Sequence, residues 1–147
     1  MVICVGQIDG AESGLPDTMI RPVRRMFAGR HDQVAGARDF VGRRLAAVPV
    51  VDEAVLLVSE LCTNAVLHTA SGNGGTFEVV IYLGLRSVRV EVRDDGSSQA
   101  PVARAAEAFS DDGRGLGLVE LIAERWGHDG DQQGRSVFFE LRWKEAE

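Results

Sequence analysis

Residues 76–96 read TFEVVIYLGLRSVRVEVRDDG, and this stretch decides the fold. Apolar residues alternate with polar ones through Thr76–Leu83 and again through Ser87–Arg93. A period of two is typical of strands that bury one face. Gly84 lies between the two runs, where a tight turn can join them. The stretch therefore predicts two neighbouring strands, the second of which ends at Asp94–Gly96.

Two helical patterns precede these strands. The first opens at His31-Asp32, with Asp32 as the expected N-cap, and continues to Leu45. The second begins near Val51 and runs to about Thr69, before the glycine-rich loop at Ser71–Gly75. Its apolar stripe consists of Leu57, Leu61, Ala65 and His68, with Val58 and Cys62 beside it.

The remaining elements lie on both sides of this central part. They are a strand at Val23–Ala28, an alanine-rich lid at 99–112, a helix from Leu118 to about Arg125, a strand near Trp126–Asp129 and a last strand at Ser136–Trp143. Because helices group with helices and strands with strands, we predict an α+β protein. The expected architecture is a single two-layer α/β sandwich, with a mixed β-sheet and helices on one face.

Length and composition restrict the class of protein. A chain of 147 residues is expected to form one domain, here residues 22–147, with 1–21 as an extension that is partly disordered or adds an edge strand. A net charge of −6 without a basic patch argues against nucleic acid as a direct partner. No stretch has the apolar length of a membrane span. Two cysteines without metal-ligand spacing suit a cytoplasmic location.

Three clusters could carry chemistry, and the first lies on the second helix. Glu60, Asn64 and His68 are four residues apart, so they share one face of the helix. Isolated polar residues there usually form a solvated helix edge, and His68 alone is more often structural. The functional alternative is a glutamate base beside an asparagine, whose carbonyl oxygen is a hard ligand suited to Mg²⁺.

The second cluster is the end of the second strand. Asp94-Asp95-Gly96 is a common turn, and alone it says little. At the end of a strand, a carboxylate could also accept a hydrogen bond from an amino group such as that of adenine. Gly96 would let a flat base approach the backbone closely.

The third cluster is Gly113-Arg114-Gly115-Leu116-Gly117, directly before a predicted helix. Its glycines could turn several backbone N–H groups toward an anion, with the positive end of the helix behind them. A flexible hinge is the simpler alternative. The segment is not a Walker A loop, because no Gly-Lys-Ser/Thr follows, and its spacing is not that of the dinucleotide fingerprint.

Taken in order, the three clusters resemble the N, G1 and G2 boxes of the GHKL (Bergerat-fold) ATPases, which include histidine kinases, gyrase and MutL. Gly134-Arg135-Ser136-Val137 is similar to the last motif of that family. The resemblance covers about Val23 to Leu141. The short form looks most like the stand-alone anti-sigma-factor serine kinases of the RsbW/SpoIIAB type.

The resemblance implies a role for each matched residue. Glu60 would be the general base, and Asn64 would hold a Mg²⁺ that bridges the ATP phosphates. Asp94, rather than Asp95, would receive the adenine amino group, because only Asp94 has the Asp-x-Gly spacing. Ser136 and an ordered water would assist it, and Gly96 would lie under the base. The phosphate side of the site would consist of Gly113, Arg114, Gly115, Leu116 and Gly117.

The sequence departs from the family at Ser98, where the G1 box usually has a second glycine. The implied function is an anti-sigma factor that binds a sigma factor and phosphorylates a serine on an anti-anti-sigma antagonist, with homodimerisation as a family expectation. A non-catalytic nucleotide-binding module that only sequesters a partner is the alternative, and Ser98 favours it. A detached histidine-kinase domain is disfavoured, because no acceptor-histidine helix pair precedes Val23.

Overall fold

In the part of the chain that the structure describes, the sheet has five strands, in the order β1-β2-β3-β5-β4. The computed structural model describes residues 21–68, 72–96, 114–130 and 133–144. In these ranges the strands are β1 (Val23–Ala28), β2 (Thr76–Leu83), β3 (Ser87–Asp94), β4 (Arg125–Gly130) and β5 (Arg135–Arg142).

All four strand pairings are antiparallel. The predicted α+β class is therefore confirmed, whereas for the described strands the predicted mixed sheet was wrong, since their pairings are all antiparallel. Periodicity identifies a strand and its buried face, but it does not say which strand lies beside it or in which direction.

Three helices cover one face of the sheet. They are α1 (Val34–Arg44), α2 (Val51–His68) and α3 (Arg114–Ile122). The long helix α2 lies against β2, β3 and β5, and it contacts both α1 and α3. The helices thus form the second layer of a two-layer sandwich, as predicted.

The core lies between these two layers. Val88, Val90 and Val92 on β3 are buried, and Leu57 and Leu61 on α2 pack against the same cluster. Full burial of one such side chain contributes about 1.5–3 kcal/mol. Period-2 patterning in the strands and 3.6-residue patterning in α2 therefore predicted the core correctly.

Several local predictions need correction. Asp32 is not the N-cap of α1, because it lies inside a short 3-10 helix, His31–Gln33, and Gln33 precedes α1. The Asp32 carboxylate instead accepts a hydrogen bond from Arg30 at 3.2 Å. The predicted extension falls almost entirely on residues 1–20, which lie outside the described residues. The predicted lid at 99–112 and Ser98 also lie outside them.

Cys62 is fully buried in α2, and its burial raises the pKa of the thiol. A thiol that resists ionisation is a poor nucleophile and a poor metal ligand. Cys62 is therefore a packing residue, as its apolar setting in the sequence predicted. In the described part of the chain, no helix combines the length and the apolar character needed to cross a membrane.

Candidate nucleotide site at the end of strand β3

Asp94 is the last residue of β3 and lies on the helix side of the sheet, in phase with the buried valines of that strand. One carboxylate oxygen, Oδ1, accepts a hydrogen bond from the Gly96 N–H at 2.8 Å. The other, Oδ2, accepts one from Arg135 Nε at 3.0 Å. Both oxygens are thus held in place by the protein.

Burial raises the pKa of the Asp94 carboxyl above its usual value. The charge of Arg135 and the hydrogen bond from Gly96 act in the opposite direction, and the nearby Asp95 adds to the rise. Burial disfavours a carboxylate, whereas an adjacent cation and a donor favour it. Desolvation is the largest of these effects at this position.

Gly96 has a φ of +93° and is buried. Residues with a Cβ rarely adopt this conformation, so the turn after β3 depends on glycine here. The conformation aims the Gly96 N–H back at Asp94. The sequence suggested that Gly96 allows close approach of a base; the structure adds that it fixes the carboxylate.

Asp95 has a different place from its neighbour. Its Oδ2 accepts a hydrogen bond from the backbone N–H of Thr76 at 3.1 Å. Thr76 is the first residue of β2, so Asp95 ties the turn after β3 to the start of the neighbouring strand β2. This contact gives Asp95 a structural explanation that the sequence did not reveal.

Ser136 and Arg135 are adjacent in β5 and therefore point to opposite faces of the sheet. The register places Arg135 opposite Asp94, and Ser136 opposite Arg93. The residue beside the Asp94 carboxylate is therefore Arg135, whereas Ser136 was predicted to assist Asp94 in binding adenine. That assistance stays a prediction, and the direct contact belongs to Arg135.

The sequence contained a signal for Arg135. Arg135 is in phase with Val137, Phe139 and Leu141, all of which are buried. A charged residue in phase with a buried face needs a partner, and Asp94 shows the same pattern on β3. The sequence therefore predicts a buried partner for each of these two charges, but it does not identify that partner.

A cavity of about 340 Å³ opens at this corner of the sheet. This volume is at the lower end of the range for small-molecule sites. Its described lining consists of Arg93, Asp94, Asp129, Gly130, Gly134, Arg135 and Ser136. The cavity thus contains two of the predicted site residues, Asp94 and Ser136.

His128 lies on β4 close to this corner. Burial and the charge of Arg135 lower the pKa of its imidazole, and Asp129 partly opposes them. The neutral ring is therefore favoured near pH 7. The sequence around His128 contains no motif, so His128 was not a predicted site residue.

Glu60 and Asn64 lie one turn apart on α2, as predicted. Asn64 is 8% exposed and Glu60 is half-buried. Because α2 packs against β3 and β5, this polar pair belongs to the layer that faces the sheet. Neither residue is among the described residues that line the cavity. His68 is the last described residue of the helix.

The predicted glycine loop is partly helical. Helix α3 begins at Arg114 and ends at Ile122, whereas the sequence predicted a helix from Leu118 to about Arg125. Gly113 lies outside the described residues. Glycine costs a helix about 1 kcal/mol per residue, but the complete burial of Val119 and the contact of α3 with α2 offset this cost. Arg114, Gly115, Leu116 and Gly117 therefore form the first turn of α3.

The first turn of α3 still has the property on which the anion prediction rested. The first N–H groups of a helix have no partner within it, and the helix dipole is positive at this end. An anion near Arg114 would be stabilised for both reasons. The anion-binding role of this segment therefore stays a prediction.

Magnesium fits the groups that α2 supplies. No three His, Cys, Asp or Glu side chains cluster as a metal site within the ranges that the structure describes. Mg²⁺ commonly takes only one or two protein oxygens and completes its shell with phosphates and water. The amide oxygen of Asn64 would be such a ligand, and the metal would neutralise phosphate charge.

A family model matches most of the chain. The model of a family described as histidine kinase-like ATPase domain matches residues 27–140. The matched range contains the three helices and the strands β2, β3 and β4 in full. It also contains the end of β1 and all of β5 except its last two residues. A search of the curated proteins finds no match.

Proposed function

The chain belongs to the histidine kinase-like ATPase domain family, and from that premise we propose that it is an ATP-binding regulatory protein with serine kinase activity. Its substrate would be a serine of an anti-anti-sigma antagonist, and its second partner a sigma factor. The observation that carries the proposal is the position of Asp94, a carboxylate fixed at the wall of a cavity where a base could bind.

In the proposed phosphoryl transfer, each group of the site has a separate role. The serine hydroxyl oxygen attacks the γ-phosphorus, the bond to the β-γ bridging oxygen breaks, and ADP leaves with that electron pair. Glu60 takes the proton of the hydroxyl. Asn64 would hold the Mg²⁺, which would offset the phosphate charge, and the first turn of α3 would stabilise the transferring group.

Labelled ATP tests the transfer directly. The purified full chain would be incubated with ATP labelled at the γ-phosphate and with candidate antagonists from neighbouring genes of the native host. We expect label on the antagonist with wild type and none with Glu60→Gln. Glu53→Gln is the matched control, since Glu53 is an exposed glutamate of the same helix. Undiminished transfer in Glu60→Gln would remove the role given to Glu60.

A second candidate is a nucleotide-binding module that sequesters its partner without phosphotransfer. One observation favours it: the described lining of the cavity contains groups suited to a base, and Glu60 is not among them. Under this reading, wild type binds ATP and captures its partner, but no label moves to any antagonist. Asn64→Ala would then weaken partner capture by weakening nucleotide binding.

We also propose a cytoplasmic location and homodimerisation, which are expected of a regulator of this type. Sedimentation of the purified chain, with and without ATP and Mg²⁺, measures the oligomeric state. A pull-down from the native host would identify the sigma factor and the antagonist.

A further inference from the structure

The proposed function gives no role to Arg135, which lies at the end of the site where the adenine base would bind. Arg135 Nε donates to Asp94 Oδ2 at 3.0 Å, and the two side chains are 4% and 1% exposed. Two buried charges are costly to remove from water, and their attraction offsets this cost only with good geometry. The guanidinium offsets the cost of burying the Asp94 carboxylate, and it also places a charged donor beside the group that would accept the adenine amino group.

The charges around the cavity indicate what kind of group it takes. Among the lining residues that the structure describes, Arg93 and Arg135 are positively charged, and Asp94 and Asp129 are negatively charged. A phosphate site would need an excess of positive charge or a set of backbone N–H groups. A balanced lining instead suits a neutral, polar group such as a nucleobase.

The backbone at this corner comes close to the pair. A Cβ built at Gly134 would lie 3.7 Å from the backbone oxygen of Asp94. Gly130, the last residue of β4, has a φ of +113°, and a Cβ there would lie 2.3 Å from the Cα of Arg135 and from the backbone oxygen of Gly134. The end of β4 therefore lies close to the start of β5, where Arg135 pairs with Asp94 across the strands.

We propose that Arg135 reads the base of the nucleotide: its guanidinium donates to the ring nitrogen N1 of adenine, while Asp94 accepts from the adjacent 6-amino group. This inference rests on the proposed binding of ATP. An arginine has five N–H donors in a fixed fork, so one guanidinium can serve a carboxylate and the edge of a base together. The planar fork suits the planar edge of a purine.

The pair would then determine specificity as well as affinity. Adenine presents a donor at its 6-amino group beside an acceptor at N1, and Asp94 with Arg135 presents an acceptor beside a donor. Guanine has a carbonyl oxygen at position 6, which would face the Asp94 carboxylate as a second acceptor. A site that leaves buried polar groups unpaired rejects such a ligand strongly.

Calorimetry of the full chain with Mg²⁺ and three nucleotides tests this proposal. The nucleotides are ATP, GTP and 1-deaza-ATP, which retains the amino group but has a carbon in place of N1. We expect 1-deaza-ATP to bind wild type at least about tenfold more weakly than ATP, since a charged donor is left without its acceptor. GTP should bind more weakly than ATP as well.

The double variant Asp94→Asn/Arg135→Met is the matched protein control. It removes both charges together, so no single charge stays buried, and the asparagine oxygen can still accept from the amino group. In this variant the penalty for 1-deaza-ATP should shrink to within about twofold. Circular dichroism would verify its fold, and the comparison of ligands on wild type does not depend on it.

Several results would overturn the inference. Equal binding of ATP and 1-deaza-ATP to wild type excludes the contact with N1, while ATP binding itself would leave the proposed function in place. An unchanged penalty in the double variant excludes Arg135 as its source, and tighter binding of GTP than of ATP excludes the assignment to adenine. If no nucleotide binds wild type, both this inference and the proposed function fail.

Discussion

The Arg89 guanidinium donates two hydrogen bonds to Glu91 Oε2, from Nε at 3.1 Å and from Nη2 at 2.8 Å. Both side chains are only 8% exposed, although they lie on the sheet face opposite the helices. The guanidinium also lies 4.1 Å from the centre of the Phe138 ring and 3.6 Å from Glu140. This face is therefore organised around a nearly buried ion pair.

Removing one member of this pair should be strongly destabilising. Glu91→Leu leaves Arg89 with the longer contact to Glu140 and removes a partner of Arg93, and we expect the free energy of unfolding to fall by about 3 kcal/mol. The double variant Arg89→Met/Glu91→Leu should lose less, because no charge remains buried. Urea denaturation measures all three proteins. A larger loss in the double variant than in the single one would contradict this account.

An exposed ion pair of similar length provides the comparison. Arg43 Nε lies 2.8 Å from Asp39 Oδ2, but these side chains are 80% and 59% exposed. Because water screens this pair, Arg43→Met should cost about 0.5 kcal/mol or less. The contrast between the two pairs attributes the effect to burial and not to the distance between charges.

Gly96 and Gly74 allow backbone strain to be separated from a role in the site. Both have a φ of +93°, so alanine at either position should cost about 1–2 kcal/mol of stability. Nothing lies within 4 Å of a Cβ built at Gly74, whereas the Gly96 N–H holds Asp94. We expect Gly96→Ala to weaken ATP binding about tenfold in calorimetry, with Gly74→Ala unaffected. Equal effects on binding would argue against a role of Gly96 beyond the fold.

The stability of the protein should depend on His128 at mildly acidic pH. Because its folded-state pKa lies below the usual 6.5, the folded chain binds this proton more weakly than the unfolded chain. This contribution to stability is therefore constant above the unfolded-state pKa, and stability is lost as pH falls below about 6.5. We expect wild type to lose more stability than His128→Gln between about pH 7.5 and about pH 5.5. Parallel urea unfolding data for the two proteins would contradict the shift.

The sequence predicted the fold wherever burial follows a local period. Val88, Val90 and Val92 alternate with charged residues, and the structure buries them under α2. Local periodicity could not supply the antiparallel order, since neighbouring strands are set by contacts distant in sequence. It also misplaced the start of α3, because the packing of Val119 overrides the low helix propensity of the glycines around it.

The candidate site was predicted only in part, for a related reason. Asp94 was identified from the spacing Asp-x-Gly and from the resemblance to a family. Its partner Arg135 is 41 positions later, and their contact depends on the register of β3 and β5. The same holds for Asp95 and Thr76. Contacts across strands become visible only when the register is known.

The central claim, that ATP binds at the end of β3 through Asp94, is tested most directly by calorimetric titration of ATP with Mg²⁺ into wild type, Asp94→Asn and Asp95→Asn. The two adjacent substitutions change charge equally, but only Asp94 lines the cavity in the described structure. We expect wild type to bind, Asp94→Asn to bind at least about tenfold more weakly, and Asp95→Asn to bind nearly as well as wild type. Absence of binding in wild type, or a larger loss in Asp95→Asn than in Asp94→Asn, would contradict the account.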